Sequence, residues 1–110
     1  MGNSSKKKGT AHESAVVTYL REHGFPTAER RALNGSQDKG DVAGVIGWVL
    51  ECKSSKTFEP GPWLDEAERE AENAGVSRFA VVAKRRLKSD AAESFAILPL
   101  WLLVELMGEG

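Results

Sequence analysis

The sequence predicts an α/β domain, a mixed central β-sheet flanked by helices. Three observations carry this expectation. Apolar residues recur at helical spacing in "TAHESAVVTYL" and again in "WLDEAEREAENAG"; short runs such as "WVLECK" and "RFAVVA" have strand character; and the order along the chain is α, a β meander, then α-β-β-α. At 110 residues, the chain can build one domain around one modest core, and 41 % apolar with 28 % charged residues is the composition of an ordinary globular domain.

Each element follows from its local signals. Residues 1–8, "MGNSSKKK", are expected to form a mobile basic arm, leaving 9–110 as the single folded domain. Thr10 opens the first helix through a Thr-x-x-Glu capping box, with Ala11, Ala15, Val16, Tyr19 and Leu20 on one side. Gly24 ends that helix and Pro26 blocks its resumption. "AERRAL" is extended and leads into the turn-rich "NGSQDKG". "DVAGVIGWVLECKS" reads as a hairpin turning near Gly44–Gly47. On its second strand Val49, Glu51 and Lys53 share one face, while Trp48, Leu50 and Cys52 share the other. After Pro60 and Pro62 comes a helix with Leu64, Ala67, Ala71 and Ala74 as its inner stripe. "RFAVVAKRR" and "SFAILPL" are further strands, and the C-terminal segment with Trp101, Leu102 and Val104 is helical.

Composition excludes several classes. The net charge of −1 gives no bulk attraction to nucleic acid, although a local basic patch would still steer one. A single cysteine, Cys52, rules out an internal disulfide framework and a Cys-rich zinc site, and it fits a reducing, intracellular setting. The N-terminus lacks the apolar run of a secretory signal. The most apolar stretch, "FAILPLWLLVELM", carries Pro99 and Glu105 and falls short of the about 20 residues that span a bilayer, so no membrane association is expected.

The chemistry-bearing constellation lies in "GSQDKGDVAGVIGWVLECKSSK". A hairpin turning at Gly44–Gly47 brings Asp41, at the start of one strand, near Glu51 or Lys53 at the end of the other. Two carboxylates beside an ammonium suit Mg²⁺, which takes one or two carboxylates and keeps sites for water and phosphate. With 12 Glu and 8 Lys in 110 residues, about one Glu-x-Lys arises by chance, so the tripeptide alone decides nothing. The plain alternative is a surface Glu/Lys pair on an edge strand. Strand placement, the facing Asp and the Gly/Ser-rich turn before it favour a site.

These residues resemble the PD-(D/E)xK nuclease superfamily, with Asp41 as the motif Asp and Glu51-Cys52-Lys53 as its (D/E)xK. The helix "KKKGTAHESAVVTYLREHGF", the "GS…GD" turn and "ECK" together are similar to archaeal-type and phage-encoded Holliday junction resolvases; Gly40 stands where the family has proline. The resemblance implies a restriction-endonuclease-like fold and metal-dependent endonucleolytic cutting of four-way DNA junctions. It also implies Mg²⁺, with Mn²⁺ as substitute, held by Asp41, Glu51 and the Cys52 backbone carbonyl. Glu13 would complete the site as a catalytic residue and a further metal ligand, Lys53 would position the attacking water, and Ser36 would contact the scissile phosphate or hold the turn. Two symmetric cuts by a chain with one site imply a homodimer, for which "LPLWLLVEL" is the candidate interface. The setting would be cytoplasmic, the host cytoplasm for a phage-encoded enzyme. The alternatives are a repair- or restriction-type nuclease of the same superfamily, and a non-catalytic DNA-binding recombination accessory domain.

Other features carry weaker readings. Glu13 could equally close the capping box with Thr10, and Ser36 and Asp38 could be turn residues only. Lys6, Lys7, Lys8, Arg30, Arg31, Lys39, Lys84, Arg85 and Arg86 are expected to contact DNA phosphates, which gives affinity without sequence information. The acids of residues 59–72 are expected on a helix face turned away from DNA. His12 and His23 lack metal-ligand spacing and are expected at the surface or in packing, Cys52 is expected to be inert in the core, and Trp63 and Trp101 are expected in the core or an interface.

Overall fold

The computed structural model describes residues 3–31 and 38–109. Its elements are α1 (Asn3–Glu22), β1 (Glu29–Arg30), β2 (Val42–Ala43), β3 (Trp48–Lys53), α2 (Pro60–Ala74), β4 (Arg78–Ala83), β5 (Phe95–Ile97) and α3 (Leu100–Glu109), with a short 3-10 turn at Ala91–Glu93. The five strands form one mixed sheet in the order β1-β2-β3-β4-β5. β3 and β4 are parallel and in register from Trp48↔Arg78 to Lys53↔Ala83; the other pairs are antiparallel. A parallel pair needs a crossover, and α2 supplies it. The α/β class with a mixed sheet therefore stands as expected.

The central strands are covered on both faces. On one side α2 packs Trp63, Ala67 and Ala71 against Val49, Phe79, Val81 and Ala83. On the other, α1 packs Val16 and Val17 with Ala28, Val42 and Cys52. Pro60 starts α2, where its missing N–H costs nothing, and Gly75 ends it in the left-handed region at φ 72. Gly44 fixes the hairpin turn: a Cβ there would lie 2.0 Å from the Thr27 carbonyl oxygen, and its φ is 88. Thr27 Oγ1 also donates to the Gly44 carbonyl at 2.8 Å, tying the turn to the segment before β1.

One expectation is corrected. α1 begins at Asn3 and not at Thr10, so residues 3–10 have helical backbone and no capping box forms at Thr10. Ser and Lys are adequate helix formers, and a helix can absorb one interior glycine, here Gly9, at about 1 kcal/mol. Of the two tryptophans expected in the core or an interface, Trp63 is buried in the core, and Trp101 is 53 % exposed with its ring against Phe79, which leaves it on the surface side of α3. Among the described residues, no helix is long and apolar enough to cross a membrane.

Candidate functional site

β2 is short, and Asp41 lies just before it. Its backbone N–H donates to the Leu50 carbonyl at 2.9 Å, and its side-chain Oδ2 accepts the Cys52 N–H at 2.7 Å. The carboxylate thus continues the ladder that β2 leaves unfinished. Because N–H and C=O of one strand residue face the same side, the Cys52 carbonyl is directed to this Asp41 edge as well. Gly40, with φ 93 and only 2.9 Å between a built Cβ and Val49 Cγ1, sets the approach of the chain. Proline, locked near φ −65°, could not take that conformation. The glycine here is demanded by the backbone.

Glu51 and Lys53 point to the α2 face, as the strand alternation predicts. Glu51 is 5 % exposed. Lys53 Nζ lies 3.1 Å from Glu51 Oε2 and 2.7 Å from Glu66 Oε1, and so bridges β3 to α2. One turn further along α2, Glu70 is buried to 2 % exposure. Carboxylate oxygens of Asp38, Glu51, Glu66 and Glu70 all lie within 4.8 Å of one another. Asp38 is fixed by accepting the Gly40 N–H at 2.9 Å and by its carbonyl accepting from Asn73 Nδ2 at 2.9 Å. Glu51 Oε1 and both oxygens of Glu70 are buried and have no hydrogen-bond partner among the described residues.

Burial and crowding shift the titration of Asp41, Glu51, Glu70, Lys53 and Cys52. Burial pushes Glu51 up to about 10, with Glu70 and Asp41 adding to it. Burial also raises Glu70, to about 7, with Asp38 contributing. Asp41 is raised by burial and then by the charge of Glu13, against the Cys52 N–H, which favours its ionised form. For Lys53, burial disfavours the ammonium, but Glu66 and then Glu51 outweigh it and push the group up to about 12. Burial, with Asp41 beside it, likewise raises the Cys52 thiol, which keeps it protonated and inert.

The structure brings Asp41 to Glu51 and Glu51 to Lys53, with Glu13 at the Asp41 margin; Asp41 is not among the four carboxylates gathered within 4.8 Å of one another. Glu13 is half-buried, close enough for its charge to act on Asp41, and its Oε1 accepts from Arg30 Nη2 at 3.1 Å and Nε at 3.2 Å. Arg30 is thus partly committed to Glu13. Arg31 bonds the Asp41 carbonyl through its backbone N–H at 2.9 Å, and Lys39 is half-buried beside Gly40. Arg85 lies 3.6 Å from Glu93 and sits over the Phe95 ring. Lys84 and Arg86, with Lys56 and Lys88, instead line a cleft of about 800 Å³ beside α1. Ser36 and the side chains of Lys6, Lys7 and Lys8 lie outside the described residues. His12 is a packing residue: it is buried, with Nε2 2.9 Å from the Val82 carbonyl oxygen.

One expectation fails here. The acids of 59–72 do not all turn outward, because Glu66 and Glu70 face the site. The signal was available in the sequence. Trp63, Ala67, Glu70, Ala71 and Ala74 lie at helical spacing on one stripe, so position 70 belongs to the inner face whatever its charge.

Comparison of the chain with protein-family models, with curated proteins and with solved structures gives no match. The functional reading therefore rests on the site.

Proposed function

We propose that this protein is a metal-dependent DNA endonuclease, with the four-way junction as substrate. The observation that carries the reading is the convergence of Asp41, a buried Glu51 with an unpartnered oxygen, and Lys53 at one end of the β2–β3 hairpin. Burying Glu51 next to a half-buried Asp41, with a single ammonium on the pair, is costly unless a cation or further hydrogen bonds offset it. The donor set fits Mg²⁺ or Mn²⁺: hard carboxylate oxygens with free lone pairs, plus the Cys52 carbonyl on the same edge. When bound, such an ion supplies Lewis acidity to a phosphate oxygen and acidifies a coordinated water.

The residues of the chain do the rest. Asp41 and Glu51 would hold the cation, with Asp41 kept in place by the Cys52 N–H. Lys53 is an ammonium oriented by Glu51 and Glu66. It donates hydrogen bonds to the attacking water or a phosphate oxygen and offsets the charge that develops there. Glu13 borders this edge and, through its pair with Arg30, sets the position of one cation near the phosphate path. Lys56, Lys84, Arg86 and Lys88 in the cleft beside α1 supply backbone contacts for DNA despite the near-zero net charge. Two cuts in a junction call for a dimer. The exposed apolar side of α3, with Leu100, Trp101, Val104 and Met107, supports that assembly.

The test is cleavage of a labelled synthetic four-way junction and a matched linear duplex, each with Mg²⁺, Mn²⁺ or EDTA. Metal-dependent paired nicks in the junction, resistant to excess unlabelled duplex, are expected. Equal cutting of both substrates would keep the nuclease and remove the junction preference. No cutting in either metal would leave the DNA-binding accessory domain as the reading.

A further inference from the structure

We propose that Glu66 and Glu70 of α2, together with Glu51 of β3 and Asp38, hold a divalent cation at a second position, with Glu51 shared between it and the Asp41 edge. The catalytic use of this cation rests on the hydrolase reading; the cation site itself does not.

The geometry is of the right size. Oxygens from the four carboxylates lie within 4.8 Å of one another. Ligands on opposite sides of a hard cation, each about 2.1–2.6 Å from it, are roughly 4.2–5.2 Å apart. The helix makes this possible, since residues 66 and 70 are four apart and project on the same side, over β3.

Burial and unmet bonding then separate this cluster from a solvated acidic patch. Glu70 is 2 % exposed, and neither of its oxygens has a partner among the described residues; Glu51 Oε1 is in the same condition. Among the described residues, Lys53 is the one ammonium bonded to the group, and it reaches Glu51 and Glu66 but not Glu70. A buried carboxylate with no partner costs more than almost any other polar group, so a ligand that satisfies it is strongly favoured. The donors are all oxygens. His12 is engaged with the Val82 carbonyl, and Cys52 packs on the opposite face of the sheet. That selects a hard ion of the Mg²⁺, Mn²⁺ or Ca²⁺ class over zinc. Two cations sharing Glu51 would flank a phosphate from two sides, the arrangement suited to stabilising an attacking and a leaving oxygen together.

The experiment is Mn²⁺ binding to the full chain at neutral pH, followed by the electron paramagnetic resonance signal of free Mn²⁺, for wild type, Glu70→Gln, Glu66→Gln and Asp41→Asn. The wild type should bind two Mn²⁺ per chain. Glu70→Gln and Glu66→Gln should each weaken one of the two roughly tenfold or more, since even groups that merely orient a ligand are worth about 10–100-fold. Asp41→Asn should weaken the other. Circular dichroism checks folding, and the half-buried Glu66 provides a variant that spares the core if Glu70→Gln does not fold. Titrations of Glu70→Gln and Glu66→Gln that superimpose on wild type would overturn the proposal. So would a wild type that takes up no Mn²⁺ and shows by infrared spectroscopy a proton shared between Glu51 and Glu70. Mn²⁺ binding as expected without DNA cleavage would support this site and defeat only the hydrolase reading.

Discussion

On the α1 face of the sheet, His12 is 5 % exposed, and its Nε2 reaches the Val82 carbonyl oxygen at 2.9 Å. On the α2 face, Glu70 is 2 % exposed, and its oxygens reach no donor among the described residues. Both residues project from a helix onto the same two central strands, at similar depth. The first is a polar group satisfied within the fold and works as a staple between α1 and β4. The second is left unsatisfied beside a second buried carboxylate, which stability alone would not select. The contrast shows how to separate a structural buried polar group from a functional one: count its partners, not its burial.

The comparison can be broken at four points. The largest effect should come from Lys53→Ala, which removes the ammonium that bonds Glu51 and Glu66 on the acidic face. DNA cleavage should fall about 100-fold or more with circular dichroism unchanged, and a loss below tenfold would place the chemistry elsewhere. Next is His12→Ala on the satisfied face. It removes a buried hydrogen bond to the Val82 carbonyl, which the β3–β4 ladder still pairs, and with the lost packing should lower the unfolding free energy in urea by about 1–2 kcal/mol; an unchanged midpoint would mean that the staple carries nothing. Glu70→Gln should do the opposite in EDTA, raising the stability of the metal-free protein by about 1 kcal/mol, because an amide is neutral where a carboxylate is repelled. A fall in stability there would reveal a partner for Glu70 and erase the contrast.

The smallest effect is a pH slope. Glu51 and Glu70 are raised in the folded protein, so between the unfolded carboxyl range and their folded values the native state binds more protons than the unfolded one. Their contribution to stability is full below about 4.5. It is lost as pH rises through about 7 for Glu70 and onward toward about 10 for Glu51. In EDTA the advantage of Glu70→Gln over wild type should therefore grow from pH 5 to pH 8 in thermal melts. A constant difference would contradict the shift.

Much of this arrangement was legible in the residues. Strand alternation places Glu51 and Lys53 on one face, the Gly44–Gly47 turn brings Asp41 back beside them, and the parallel crossover through α2 follows from the element order. The inward acids were missed for a physical reason. Reading amphipathic helices assigns charge to the outside, so Glu70 was grouped with its solvated neighbours although its position falls in the buried stripe. Asp38 read as a turn residue, and it is one, accepting the Gly40 N–H, while also facing the cluster. The start of α1 was missed because a local Thr-x-x-Glu pattern outweighed the ordinary helix propensity of the residues before it; Glu13 pairs across to Arg30 instead.

The central claim is that the carboxylates at the end of the β2–β3 hairpin are a hydrolytic centre. The most direct measurement is single-turnover cleavage of a labelled four-way junction by wild type and Glu51→Gln, in Mn²⁺ and in EDTA. Cleavage by wild type in Mn²⁺ only, and none by Glu51→Gln in either, is expected. Cleavage by wild type that persists in EDTA, or a Glu51→Gln protein as active as wild type in Mn²⁺, would contradict it.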